Sequence, residues 1–398
     1  MKKKIFSLLP NVALIVFILG NISYIRKVLK EYGLSLIDFH GQWAICAHVL
    51  RGADPYQAIG VEPPLFDDIG AIPGDWGTSP WGCVLGNIFY PGWLPFESAV
   101  QYFFVINFVM LILTVACFVV QLKDSMPRVM LVLFALMILT SPNFWHAPHQ
   151  GNCGGMICCL LLIACLIYEK HSILAGVALG FAMIKPQTTL LICLAFLLMK
   201  QYKPLIVAAA IDLTAWVTTS ILIGQTPLTV LLEFLTGNIG GGARRGILSL
   251  WAEDLPNPLL VMPLSMLLGI ILVVLLQRLI DQRSDNLLIR LGVFVPAFAA
   301  TNIWCYAWEN ERFTLTLPIV LGLWLITESK NIFEPVLLIF LAACCDFYIK
   351  WVGRLQEILM FATGAPEALA MQQSITLLEL SYMVMGIVVA FKLKSTRA

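Results

Sequence analysis

A single carboxylate stands out near the start of this chain. In Ile37-Asp38-Phe39-His40-Gly41-Gln42-Trp43-Ala44-Ile45-Cys46-Ala47-His48-Val49-Leu50, Asp38 is the only acid. Read as a helix, Phe39, Trp43, Cys46 and Leu50 fall at i, i+4, i+7 and i+11 and make one apolar stripe. Asp38 and Gln42 are i, i+4 neighbours on another face. The pattern suits a helix lying at a membrane surface with its rings down and its carboxylate toward a cavity, where it can take a proton from an attacking hydroxyl. An Asp at a helix start is also a ready N-cap, and the pattern allows both roles.

The cations form a second group. Lys185, followed by Pro186 and Gln187, joins two short apolar stretches, so its ammonium lies below the membrane surface. Such a Lys costs roughly 2.5–3.5 kcal/mol on insertion and lines a cavity, where it can hold an anion, or else snorkels to the headgroups. Arg244 and Arg245 follow three glycines, and Arg312 follows Trp308-Glu309-Asn310-Glu311. Guanidinium forks suit phosphate, and they equally suit lipid headgroups or nearby acids.

Polar residues complete the inventory. His146-Ala147-Pro148-His149-Gln150-Gly151-Asn152 reads as a turn that opens a helix. Its two histidines lack a third ligand, which favours hydrogen bonding over a metal. The amides of Gln150 and Asn152 suit a sugar or a phosphate at a helix N-terminus. Tyr56 closes the turn Arg51-Gly52-Ala53-Asp54-Pro55-Tyr56, and the aromatics of residues 89–96 suit a saccharide platform or an interfacial belt.

The elements that position these residues must be membrane helices. Of the 398 residues, 59% are hydrophobic and 12% charged, and the net charge is +1. That balance excludes a basic protein coating nucleic acid, an acidic disordered chain and a soluble globule. Apolar runs predict an all-α polytopic bundle of about 12 spans, near 5–25, 99–121, 128–142, 150–168, 172–184, 187–200, 204–223, 258–279, 287–303, 312–327, 332–349 and 371–391. The first run reads as a retained span, because no convincing small-residue cleavage site follows it.

Separate helices at 172–184 and 187–200 put most of the 25 Lys and Arg residues on the inner side. One helix kinked at Pro186 would reverse that, so the positive-inside rule favours two. Residues 1–398 then form a single integral membrane domain with both termini cytoplasmic. Its loops near 26–98, 224–257 and 350–370 lie outside, the first carrying surface helices. Of the 11 cysteines, Cys46, Cys83 and Cys305 fall in watery loops and the rest in or beside apolar runs, with no disulfide framework. Asp212, inside a span, reads as structural.

The order of these features resembles a known family. An Asp soon after the first span is followed by Gly52-Ala53-Asp54-Pro55-Tyr56 and by Tyr90-Pro91 with Leu94-Pro95. Gln150-Gly151-Asn152 then opens a span, and Gly176 and Gly180 lead to Ile184-Lys185-Pro186. The chain is similar to the polytopic GT-C glycosyltransferases of family 87 over roughly residues 30–205. That family includes polyprenol-phosphate-mannose-dependent mannosyltransferases.

The resemblance implies a polyprenyl-phosphate sugar donor, a lipid or glycan acceptor, an extracytoplasmic active site in the cell membrane and no cofactor. It also implies a catalytic Asp at the position of Asp38. The family places a His or a Tyr/Asp pair in a late outer turn, and Trp304–Arg312 has no His there.

The residue types fit such chemistry. Asp38 would be the base, and Lys185 would receive the departing phosphate with Arg244, Arg245 or Arg312. Gln42, Tyr56, His149, Gln150, Asn152 and Glu309 would bind substrate, and the anomeric centre would invert. Neither a metal nor a nucleic acid is expected. A transporter or flippase, or an O-antigen polymerase or ligase type of enzyme centred on Arg244 and Arg245, are the rival readings.

Overall fold

The computed structural model describes residues 2–31, 36–58, 64–70, 78–241, 261–280, 284–302 and 309–395. Among them all regular structure is helical. In chain order the helices begin with α1 (Lys2–Glu31), α2 (Ile37–Leu50), α3 (Pro55–Ala58), α4 (Gly82–Leu85) and α5 (Phe96–Leu122). Next come α6 (Arg128–Leu139), α7 (Pro142–Gln150), α8 (Gly154–Ile167), α9 (Ser172–Ala182), α10 (Pro186–Leu198) and α11 (Tyr202–Leu222). The rest are α12 (Pro227–Gly241), α13 (Val261–Gln277), α14 (Leu287–Leu291), α15 (Val295–Thr301), α16 (Thr316–Leu325), α17 (Phe333–Asp346), α18 (Tyr348–Thr363) and α19 (Glu367–Ser395).

The helix α5 shows why this bundle belongs in a membrane. Its 27 residues rise about 40 Å, more than the roughly 30 Å of hydrocarbon. One stripe, running through Ala99, Phe103, Asn107, Leu111, Thr114 and Phe118, is buried. The opposite face exposes Val105, Phe108, Ile112 and Val120, apolar surface that water would penalise and lipid accepts. The two polar residues in the buried stripe bond back to the helix itself. Asn107 donates to the Phe103 carbonyl at 2.8 Å and Thr114 to the Met110 carbonyl at 2.8 Å.

The expected number of spans is not reached by length. Among the described residues five helical stretches are long and apolar enough to cross a membrane, or six if the bent pair α17–α18 counts as one. The five lie at Leu8–Arg26, Phe96–Leu122, Arg128–Gln150, Tyr202–Leu222 and Leu369–Ser395. The other seven expected spans form helices below 18 residues. Proline and glycine account for part of that interruption, since each removes backbone bonding or allows a sharp change of direction. The expected loop at 350–370 is largely helix, namely α18.

Two breaks build the site. The α9–α10 break follows from Pro186, which opens α10 at a position needing no N–H and restricts Lys185 before it. Lys185 leaves helical geometry there, so α9 and α10 are separate helical elements. Carbonyls left open at the end of α9 are taken by other elements. Trp81 donates to the Met183 carbonyl at 2.6 Å, Ser79 to Ile184 at 3.4 Å and Thr189 to Ala182 at 2.7 Å. The hairpin also packs tightly on α11: a Cβ at Gly176 would lie 2.6 Å from the Cβ of Val207.

The second break ends α7. Gly151 adopts φ +76°, its N–H bonds the Pro148 carbonyl at 3.0 Å, and the Asn152 N–H bonds the Ala147 carbonyl at 2.8 Å. This is a Schellman ending, and glycine is favoured there because other residues are strained at positive φ. Residues 142–150 are thus a short helix, where the sequence reading put a turn at His146–Asn152.

Candidate active site

The helix α2 does not lie with its rings toward lipid. Phe39, Trp43 and Cys46 are buried inside the protein, and only Leu50 of that stripe is exposed. Phe39 sits 5.4 Å from Tyr90, 5.6 Å from Phe96 and 5.1 Å from Phe103, ring centre to ring centre. An aromatic pocket built by the first loop and α5 outcompetes the lipid boundary for those rings. Phe89 and Tyr90 likewise belong to the core rather than to an open platform, while Trp93 is exposed. Cys46 and Cys83, expected in watery loops, are buried free thiols, and Cys305 lies outside the described residues.

Asp38 is not the cap of α2. The cap is Leu36, at φ 48°, and no side chain caps the helix. A non-glycine residue in that left-handed region is strained, and it begins the helix two residues before the carboxylate. Asp38, half-buried in the first turn, instead accepts a 2.7 Å hydrogen bond at Oδ2 from Nδ2 of Asn152. The approach is close because of Gly151, where a Cβ would stand 2.6 Å from the Cβ of Phe39.

The other end of the same amide meets the ammonium. Asn152 Oδ1 accepts from Lys185 Nζ at 2.7 Å and from the Gly154 N–H at 2.8 Å. Only one orientation of the amide serves a carboxylate on one side and two donors on the other. Lys185 also donates to Glu311 Oε1 and forms an ion pair with it. Glu311 is held from behind, its carbonyl accepting from Cys158 at 3.3 Å and from Thr314 at 2.8 Å. The continuous polar run is Asp38, Asn152, Lys185, Glu311, drawn from α2, the α7–α8 junction, the α9–α10 break and the 3-10 helix Glu309–Leu315.

Two groups in this run keep hydrogen-bonding capacity. Asp38 Oδ1 has no hydrogen-bond partner among the described residues, and Lys185 spends two of its three N–H donors. A carboxylate oxygen can therefore accept a proton while, across one amide, an ammonium can meet an anion.

Around this run stand further residues singled out by type. Gln42, one turn on from Asp38, accepts from the Thr78 hydroxyl at 2.9 Å. Tyr56 donates to the Thr78 carbonyl at 2.7 Å, so residues 78–82 tie α2 and α3 to the lysine hairpin. Burial pushes the Tyr56 phenol well above its usual pKa, with Cys83 adding to the effect. The phenol of Tyr90 is raised in the same way by burial. Both therefore stay protonated donors. His48, in the last turn of α2, is pushed down by burial while its Nδ1 bonds the Ala44 carbonyl at 2.8 Å.

His149 and Gln150 are half-buried in the last turn of α7. Arg312 is buried and its charge acts on Glu379 of α19, whereas Lys185 is the cation linked to Asp38 through Asn152. Arg244 and Arg245 lie outside the described residues. Glu309 opens its 3-10 helix, with its side chain outside what is described. Glu311 was missed by the sequence reading. Its signal was the lysine itself, since an ammonium held at that depth calls for a carboxylate, and the late turn offers one two residues beyond Glu309.

A membrane-helical protein with a half-buried carboxylate wired to a buried ion pair is the class that fold and site define. Residues 86–327, more than half of the chain, match the family model described as Glycosyltransferase family 87. The chain belongs to that family and is a glycosyltransferase. No curated protein and no solved structure matches it. The matched stretch contains Asn152, Lys185, Glu311 and Arg312, begins after Asp38, and runs well beyond residue 205, where the sequence resemblance had been traced.

Proposed function

We propose that this enzyme moves a hexose or pentose, mannose-like, from a polyprenyl-phosphate donor to a lipid or glycan acceptor on the extracytoplasmic face of the cell membrane. Asp38 is the general base. Its Oδ1 takes the proton of the acceptor hydroxyl as that oxygen forms the new bond to the anomeric carbon. The bond from that carbon to the phosphate oxygen breaks, and its electron pair leaves with the phosphate. Attack and departure on opposite faces invert the anomeric centre.

Lys185 receives the departing charge, with Arg312 and the basic pair Arg244 and Arg245 adding positive potential. Gln42, Asn152 and Tyr56 offer hydrogen bonds to hydroxyls, as do His149, Gln150 and Glu309. The observation that carries this reading is the single Asn152 amide between Asp38 and Lys185. A carboxylate and an ammonium linked through one amide suit a reaction that needs a base on one side of a sugar and a cation on the other.

The test is transfer by purified enzyme from a polyprenyl-phosphate sugar. Asp38→Asn keeps the shape and removes the base, so turnover should fall at least about a hundredfold, the contribution of a positioned base, with thermal stability retained. Normal turnover in that variant overturns the assignment.

A further inference from the structure

The Asn152 amide can bridge base and ammonium only while the peptide turn that carries it stays in place, and one hydroxyl grips that turn from both sides. Tyr90 is fully buried, stacked on Phe103 with ring centres 5.5 Å apart and tilted against Phe39 at 5.4 Å. Its hydroxyl donates to the Gly151 carbonyl at 3.3 Å and accepts the Cys153 N–H at 2.7 Å. Those two peptide groups immediately flank Asn152. Packing in this aromatic cluster would be served by phenylalanine, and a buried hydroxyl is costly unless it is bonded.

We infer that Tyr90 is a positioning residue for the transfer reaction, holding residues 151–153 so that the Asn152 amide stays between the Asp38 carboxylate and the Lys185 ammonium. The inference rests on the reading of Asp38 as base. It has a specific consequence: when the grip is lost, the amide no longer sits squarely between Asp38 and Lys185 and turnover falls, and this loss is not added to that of a variant without the amide. A hydroxyl that served only to cap the start of α8 would change stability and leave turnover per folded enzyme where it was.

The experiment measures kcat, KM and thermal stability for Tyr90→Phe, Asn152→Ala and the double variant. Tyr90→Phe should lower kcat about 10-fold, a fraction of the loss that a 1 Å misplacement causes, and change KM less than about twofold. Asn152→Ala should show a larger loss of kcat, and adding Tyr90→Phe to it should change nothing further. Equal effects of Tyr90→Phe on wild type and on Asn152→Ala overturn the inference, as does a Tyr90→Phe that loses stability at unchanged kcat.

If Tyr90→Phe fails to fold, 3,5-difluorotyrosine at position 90 weakens the hydroxyl as an acceptor without removing it. It should give a smaller fall in kcat, and an unchanged kcat there also overturns the inference. Asp38→Asn run alongside separates the two readings. Normal turnover in Asp38→Asn sinks the base and the Tyr90 role together, whereas a dead Asp38→Asn beside a normal Tyr90→Phe sinks only the latter.

Discussion

Lys185–Glu311 and Arg51–Asp68 are both carboxylate–cation pairs, yet their surroundings have little in common. The side chains of Lys185 and Glu311 are 17% and 1% exposed, and the partners are 126 residues apart in sequence. Arg51 and Asp68 are 41% and 66% exposed, 17 residues apart, and joined by two bonds of 2.8 and 2.6 Å, with the guanidinium also 5.0 Å from the Phe66 ring centre. By geometry alone the second pair is the better made. Burial reverses the ranking of importance: ions taken out of water cost several kcal/mol each, and a chain keeps them there when their charge is used. The Arg51–Asp68 pair closes a loop, and the Lys185–Glu311 pair holds an ammonium one amide away from the Asp38 carboxylate.

The comparison breaks most directly at Glu311. Glu311→Gln leaves the ammonium in place without its counter-charge. Removal of one partner from a buried pair costs 3–5 kcal/mol, and we expect about 3 kcal/mol here, since Lys185 retains some exposure. Unfolding of the detergent-solubilised protein measures it. A loss below about 1 kcal/mol would place this pair with the exposed one.

Lys185→Ala tests use as well as stability: it also leaves the buried Glu311 carboxylate without its cation, so turnover is compared per folded enzyme. If Lys185 meets the donor phosphate as proposed, the neutral side chain removes one charged contact and kcat/KM for the donor should fall about 10- to 100-fold, corresponding to a charged hydrogen bond of 1.5–3 kcal/mol. Arg51→Ala should leave the donor saturation curve where it is. Equal curves for the two variants would erase the distinction.

How much of this was legible in the sequence depended on whether the cue was local. The α9–α10 break was readable because Pro186 acts on its own neighbours, and α5 was readable because its apolar run exceeds the membrane thickness. Asp38 and Lys185 were readable as charges in apolar surroundings. Their connection was not, because it depends on the Gly151 turn bringing Asn152 between residues 114 and 33 positions away. Phe39 and Trp43 were misplaced for a related reason. An apolar stripe gives the face that is buried, and whether lipid or protein buries it is decided by α5 and residues 89–96, far along the chain. Among the described residues the span count is met only in part by helix length, because apolar helices enclosed by other helices, such as α8 to α10, are shorter than a lone crossing requires.

The smallest effect belongs to Asp68, and its sign is fixed. The hydrogen bond from Arg51 holds the Asp68 carboxyl below its usual range. A lowered folded-state value means that the pair contributes in full above the ordinary Asp value of about 4, and that the contribution is lost as pH falls below it. Asp68→Asn should therefore leave sugar transfer within about twofold of wild type at neutral pH and lower stability only slightly, as exposed pairs do. The stability gap between wild type and variant should stay constant from about pH 8 to 5, close below about pH 4, and shrink in molar salt, where charges are screened beyond about 3 Å. A gap that survives both acid and salt would mean that Arg51 and Asp68 contribute through packing, the guanidinium on Phe66 above all, and that their charges are incidental.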